Sequence, residues 1–395
     1  MDASRFGQNS PGHLIRCPQG YLAFVPNPLE PSLNLDMPLV VALSGADRAL
    51  SELAGVARTL PNPHLLIAPF MRREAVLSSR IEGTQASFSD LLFFEAANLG
   101  ERETPDVREV ANYVRALEYG LDRLDQLPLS LRLLREMHAR LLEGVRGQNL
   151  TPGEFRRSQN WIGPPGCTLM DATFVPPPVD EMNTQLGLLE KYLHTQSPLP
   201  PLIRLAMVHY QFEAIHPFLD GNGRIGRLLI TLLLCTEKLL PQPLLYLSAY
   251  FEKYRDEYYR NLLGVSEAGR WEQWITFFLR AVAVQARDAV RRSDELLALW
   301  REYRARLQEA RSSALALRLV DDLFQYPALT NPAISKRLAI TPRSAQLNID
   351  KLRRAGIVQE ATGHRRNRVY IAPEIIRIVE EHENEAQAVG ADAGR

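Results

Sequence analysis

Along most of the chain, apolar side chains recur at three- and four-residue intervals, the period of a helix with one buried face. The pattern predicts helices over residues 39–60, 69–82, 105–124, 129–142, 179–193, 201–215, 224–240 and from 271 to about 310. Strand signals are scarce: one small exposed hairpin is expected around Trp161-Ile162-Gly163-Pro164-Pro165-Gly166 and Ala172-Thr173-Phe174-Val175. Residues 1–35, rich in Pro, Gly and Asn, read as an extended lead-in. Beyond residue 312 the pattern changes to helices over 314–324, 331–338 and 342–355, then two short strands around a polar turn at 362–367. Thr341 before Pro342 is a good N-cap with proline at the first helical position.

These readings place a lead-in at 1–35, a helical region at 36–115, a core at 116–290, a connecting helix at 291–311, a module at 312–380 whose element order resembles a winged helix-turn-helix, and a tail at 381–395. The fold class is mainly α. Composition changes the picture little. The 46 Lys and Arg balance the 46 Asp and Glu, so any case for a nucleic-acid or membrane surface is regional. It arises only in residues 331–372, where nine basic side chains, among them Arg343, Lys351, Arg353, Arg354, Arg365, Arg366 and Arg368, face Asp350 and Glu360 alone. Cys17, Cys167 and Cys235 are too far apart for a zinc knuckle or a disulfide framework. The N-terminus lacks an apolar signal core and the longest apolar run, 228–235, is too short for a bilayer, so a cytoplasmic, membrane-free protein is expected.

The candidate chemistry lies in one stretch. The helix ending at Ile215 must stop at His216, because Pro217 follows. Then come Asp220-Gly221-Asn222-Gly223-Arg224 and a second apolar helix. Glycines at 221 and 223 let backbone N–H groups approach a ligand, and the next helix points its unpaired N-terminal donors at the same place, which favours phosphate oxygens. Arg224 and Arg227 add charged forks. Asp220 offers one hard oxygen of the kind that holds Mg²⁺ beside nucleotide phosphates, and His216 can act as a base. His209 shares the apolar face of its helix and reads as a packed side chain. His13, His64, His138 and His194 form no metal-ligand cluster.

The run His216-Pro217-Phe218-Leu219-Asp220-Gly221-Asn222-Gly223-Arg224-Ile225-Gly226-Arg227 resembles the H-P-F-x-D/E-G-N-G-R-x-G-R signature of the Fic family. The resemblance implies a Fic-type helical bundle with a β-hairpin flap that seats a target segment. It also implies AMP transfer from ATP to Ser, Thr or Tyr hydroxyls of target proteins. His216 would be the base, Asp220 the Mg²⁺ ligand, and Gly221, Asn222, Gly223, Arg224, Ile225, Gly226 and Arg227 the nucleotide-binding stretch. One or both of Tyr258 and Tyr259 would lie near the adenine. Family members that transfer a terminal phosphoryl group carry lysine where this chain has Gly223, which favours AMP transfer.

Upstream, Ser78-Ser79-Arg80-Ile81-Glu82-Gly83 ends a helix, with Gly83 suited to the left-handed position past it. Glu82 sits on the wrong end of the helix dipole, which calls for a cation; Arg227 is the candidate. This spacing resembles the inhibitory S/T-x-x-x-E-G/N motif of Fic proteins, in which Ser78, Glu82 and Gly83 would hold the enzyme in check. Two alternatives accompany this reading: a nucleotide-sensing regulator whose winged helix binds DNA, and a hydrolase that removes AMP. Self-modification and a homodimer are further expectations.

Overall fold

The structure, a computed structural model, describes residues 1–30, 33–59, 64–97, 104–309, 313–363 and 368–380. The helices are α1 (Met37–Thr59), α2 (His64–Ile81), α3 (Phe88–Ala97), α4 (Pro105–Leu124), α5 (Leu131–Leu141), α6 (Val179–His194), α7 (Pro201–Ile215), α8 (Asn222–Thr236), α9 (Ser248–Lys253), α10 (Arg255–Ala268) and α11 (Trp271–Glu309). Seven more elements follow: α12 (Ala314–Gln325), β3 (Ala328–Thr330), α13 (Asn331–Arg337), α14 (Pro342–Arg354), then β4 (Gln359–Glu360) and β5 (Val369–Ile371), closed by α15 (Pro373–Glu380). The fold is mainly helical, as the periodicity implies. Helix α2 starts five residues before the expected Pro69, which lies inside it. Leu65 and Leu66 are buried there, and their burial outweighs the backbone bond that proline forgoes.

Two compact units divide the chain: residues 1–63, 74–87 and 103–291 form the first, and residues 64–73, 88–102 and 292–395 the second. In the first, α7 is the central helix, with every residue buried except Pro201 and Glu213. Such a helix is apolar all round rather than on one stripe. Helices α6, α8 and α10 pack on it, and α4 and α5 pack on α8. Trp274 of α11 donates its indole N–H to Ala206 O at 2.9 Å, which satisfies the one polar atom of a fully buried ring.

The lead-in departs from the extended reading. Residues 12–26 form an antiparallel hairpin, β1 (Gly12–Arg16) and β2 (Leu22–Pro26), with His13 opposite Val25 and Ile15 opposite Ala23. The turn is made at Gly20, whose φ of 93° is open to glycine. The Pro and Gly that suggested a coil mark only its ends. Phe24 N–H bonds to Val175 O at 2.9 Å, and Cys17, Tyr21 and Ala23 form a buried cluster with Ala172 and Val175. The hairpin expected at 161–175 is reduced to one pair, Ile162 and Phe174, which exchange both backbone bonds at 2.8 and 3.0 Å.

The second unit contains a three-stranded antiparallel sheet in the order β3-β5-β4, one strand more than expected. Thr341 caps α14 by accepting from Ser344 N–H at 3.2 Å, with Pro342 at the first helical position. Thr330 caps α13 and donates to Ala96 O of α3 at 3.1 Å. Arg365 and Arg366 of the expected basic turn, and the tail 381–395, lie outside the described residues.

Candidate active site

Helix α7 ends where Pro217 requires, and His216 takes up the left-handed conformation, φ 50° and ψ 60°. For a residue with a Cβ this costs roughly 1–2 kcal/mol, so the surroundings must hold it. Its N–H bonds to Phe212 O at 3.0 Å. Its carbonyl accepts from Arg156 Nε at 3.0 Å and Asn160 Nδ2 at 3.2 Å. On the ring, Nδ1 lies 3.2 Å from Glu213 O. A carbonyl only accepts, so the proton sits on Nδ1 and the lone pair of Nε2 is left for another partner. Burial pushes the imidazole down to about 4, leaving it neutral at neutral pH.

The following turn is braced by side chains. Asn222 accepts from Phe218 N–H and donates to Phe218 O, both at 2.8 Å. Its amide is thus spent on shaping the loop, and what Asn222 itself offers a ligand is its backbone. Gly221, at φ 79°, precedes α8 without a capping side chain, so the first N–H groups of the helix stay open to an anion. His138 of α5 underlies the turn: Nε2 donates to Asp220 O at 3.0 Å, Nδ1 accepts from Gly153 N–H at 2.8 Å, and the ring stacks on Phe218 at 3.8 Å. Burial lowers its pKa to about 4. Sequence reasoning missed His138, Arg156 and Asn160 as site residues. No local motif announces them, since they reach the loop from 56 to 82 positions away.

Two arginines of α8 face the same turn from inside the core. Arg224 is fully buried, with Nη1 3.3 Å from Glu109 Oε2 and Nη2 3.5 Å from Asp220 Oδ1. Glu109 also accepts from Thr84 Oγ1 at 3.1 Å. Arg227 donates Nε to Ser78 Oγ at 2.8 Å, and Nη2 to Ser78 O at 3.0 Å and to Glu82 Oε1 at 2.7 Å. Arg227 Nη1 and Arg224 Nε, both buried, have no hydrogen-bond acceptor. Unmet guanidinium donors in a core are costly, and their place beside an uncapped helix start suits phosphate oxygens. The Glu82 carboxylate lies so close to Gly223 that a Cβ there would collide with Oε1. Burial pushes the Glu82 pKa up, but the charge and hydrogen bond of Arg227 outweigh it and hold the group below its ordinary value. The end of α2 is locked as the sequence suggests: Gly83 has φ 94°, and its N–H bonds to Arg80 O at 2.9 Å.

The two tyrosines separate. Tyr258 is buried among Phe251, Trp274 and Phe277, and its hydroxyl donates to His209 Nε2 at 2.7 Å. Nδ1 of His209 meets Gly226 O at 3.1 Å, so both nitrogens of this packed histidine are used. Tyr259 is 40% exposed and remains open to a ligand. Asp220 keeps one oxygen on Gly221 N–H at 2.6 Å and turns the other toward Gly147. Among the described residues no cluster of three or more His, Cys, Asp or Glu side chains is placed to hold a metal ion. One partly exposed carboxylate fits a magnesium ion that brings its own phosphate and water ligands, and does not make an all-protein site.

Residues 40–122 match the Fic/DOC family N-terminal domain and residues 128–234 the Fic/DOC family domain. Over 113 residues the chain is 34% identical to protein adenylyltransferase Fic of Drosophila virilis and 33% identical to that of Drosophila yakuba. Each match covers 28% of this chain, which thus spans 21% of the length of these relatives. Among solved structures, a Fic family protein from Desulfovibrio desulfuricans has a TM-score of 0.56 at 18% identity, covering 87% of this chain and 98% of its own. A Fic domain-containing signaling protein from Bacteroides thetaiotaomicron has a TM-score of 0.50 at 18% identity, covering 64% of this chain and 96% of its own. At those identities the structures speak for the fold. The chain therefore carries a Fic N-terminal domain followed by a Fic domain, in a mainly helical Fic-type fold.

Proposed function

We propose that this chain transfers AMP from ATP to a hydroxyl side chain of a target protein, and that Glu82 restrains it. The observation that carries the reading is the conjunction, within one turn, of an uncapped helix start, two buried arginines with unmet donors, and a neutral imidazole whose Nε2 is bare. Backbone donors of Gly223 and Arg224 would receive phosphate oxygens, and the guanidinium of Arg227 would take the terminal phosphate in exchange for Glu82. His216 Nε2 would accept the proton as the target oxygen bonds to the α-phosphorus and the bond to the pyrophosphate oxygen breaks. Magnesium, when bound at Asp220, would offset the phosphate charge. Tyr259 is the better of the two tyrosines for the adenine, because Tyr258 is committed to the core.

In this reading inhibition is competition for one guanidinium. While Glu82 holds Arg227, a triphosphate binds weakly or with its α-phosphorus out of line. Incorporation of labelled ATP with Mg²⁺ tests it across the native chain, Glu82→Gly and His216→Ala. The expected result is strong labelling of the Glu82→Gly form and none with His216→Ala in that background. Equal labelling of the native and Glu82→Gly chains would remove the restraint, and labelling without His216 would remove the base. Loss of AMP from a modified target that requires Glu82 would instead favour the hydrolytic direction.

A second reading concerns the second unit. We infer that it is a winged helix able to bind duplex DNA through α14, whose Arg343, Leu347 and Arg354 are exposed at positions that share one face. Salt-dependent binding to promoter DNA tests this.

A further inference from the structure

Residues just before the segment 161–175 hold both its exit and the turn that follows α7. Arg156, 1% exposed, donates Nε to His216 O at 3.0 Å, Nη1 to Ser158 O at 3.3 Å, and Nη2 to Pro177 O. Its backbone N–H takes Pro217 O at 2.9 Å. Asn160, also buried, donates Nδ2 to His216 O at 3.2 Å and to Phe218 O at 2.8 Å. Ser158 stands at the entry foot of the segment and Pro177 at its exit. Carbonyls 216, 217 and 218, three in succession, are therefore all bound by residues 156 and 160. The exit foot is fastened a second time, by Gln159 Nε2 to Pro176 O at 2.9 Å, with no contact to His216. Above these feet the segment closes through the Ile162 and Phe174 pair and exposes Trp161, Ile162 and Met170.

We propose that Arg156 and Asn160 are positioning residues that join the feet of the 161–175 segment to the carbonyl of His216, so that a polypeptide seated on the segment bears directly on the aim of the base. A guanidinium suits the role because its fork can satisfy three carbonyls in fixed directions at once, which an ammonium on a flexible stem cannot. The strained backbone of His216 supplies the reason a fastener is needed. Left-handed residues with a Cβ persist only where the surroundings over-determine them, and here two side-chain donors from one segment do so. A shift of the feet would be felt at the imidazole, where an error of about 1 Å can cost on the order of 10²-fold in rate. The inference rests on His216 being the base.

The test compares Arg156→Lys, Asn160→Ala and Gln159→Ala, each in the Glu82→Gly chain. Arg156→Lys and Asn160→Ala are expected to lower kcat for target modification by on the order of 10- to 10²-fold, with magnesium nucleotide bound as before. Gln159→Ala removes only the second fastening of the exit foot, which Arg156 still holds through Pro177 O, and is expected to raise KM for the target with kcat unchanged. Histidine ¹⁵N shifts give a readout that needs no turnover. His216 is expected to be an Nδ1–H tautomer in the parent and a tautomer mixture in both Arg156→Lys and Asn160→Ala. Unchanged kcat, or a His216 signal that stays in the Nδ1–H form, overturns the proposal. If Arg156→Lys does not fold, Asn160→Ala decides. If the Glu82→Gly chain transfers no AMP at all, the proposed function falls, while the ¹⁵N shifts still decide this point.

Discussion

His216, His209 and His138 carry the same ring and do three different things, and their hydrogen bonds explain why. His209 and His138 each have both nitrogens engaged, one as donor and one as acceptor; His216 has one engaged. Only the last can take a proton without breaking a bond already made. His216→Ala in the Glu82→Gly background is accordingly expected to lower transfer by on the order of 10²–10⁴-fold while nucleotide binding, measured by calorimetry, is retained. The fully buried pair has a different consequence. Burial holds His138 near about 4 and His209 near about 3, below the ordinary 6.5. Between pH 6.5 and those values the unfolded chain binds protons that the native one refuses, so stability present above pH 6.5 is lost as pH falls. Each contributes a slope of up to about 1.4 kcal/mol per pH unit. Denaturant titrations at pH 7 and pH 5 check this: His209→Gln should flatten the loss, and an unaltered slope would contradict the assignment. The reading of His209 as packed was available from its place on an apolar helix face. The part played by His138 was not, because its partners Asp220 and Gly153 are remote in sequence.

At the level of elements, what was legible depended on whether the cause is local. Helix α4 begins where Thr104 and Pro105 say it should, α7 begins at Pro201 and stops before Pro217, and the α7-turn-α8 unit is written in consecutive residues from Pro201 onward. Helix α3 has no counterpart among the expected helices: Leu91-Leu92-Phe93-Phe94 is apolar on too wide a front to show a period. The hairpin β1-β2 was hidden by the prolines and glycines at its ends, and the segment 161–175, rich in the same residues, pairs at one position only. Helix α14 carries the element-scale prediction. If its exposed face meets DNA, Arg343→Ala with Arg354→Ala should weaken binding about uniformly across sequences and reduce its salt slope by roughly 2, one for each phosphate contact. Gel shifts at two salt concentrations read this, and a docking surface for protein would show no such slope.

At the scale of the whole molecule, the candidate site draws all its described residues from the first unit, although they come from in and around α2, α4, α5, α7, α8 and α10 and from the stretch between α5 and α6. No described helix is long and apolar enough to cross a membrane. The neutral net charge gave no guide to the site, whose arginines are buried and answered by Glu82, Glu109 and Asp220 within it. Ligand linkage makes the site visible in the melting temperature of the full chain. Saturating magnesium ATP should raise Tm more for Glu82→Gly than for the native chain, because only a ligand that binds the folded state stabilises it, in proportion to the logarithm of its excess over Kd. Equal shifts would mean that Glu82 and the triphosphate do not compete.

If Glu82 restrains the site as proposed, its place against Gly223 bears on how the chain would be switched. The carboxylate is delivered by its own helix end, so its local abundance at Arg227 is fixed by geometry and corresponds to a millimolar or higher effective concentration. Ordinary swings in cellular nucleotide would barely dilute a rival that is always in place. A physiological trigger would have to act on the last turn of α2, by tugging, docking or covalent marking, and would leave the twelve residues from His216 to Arg227 untouched.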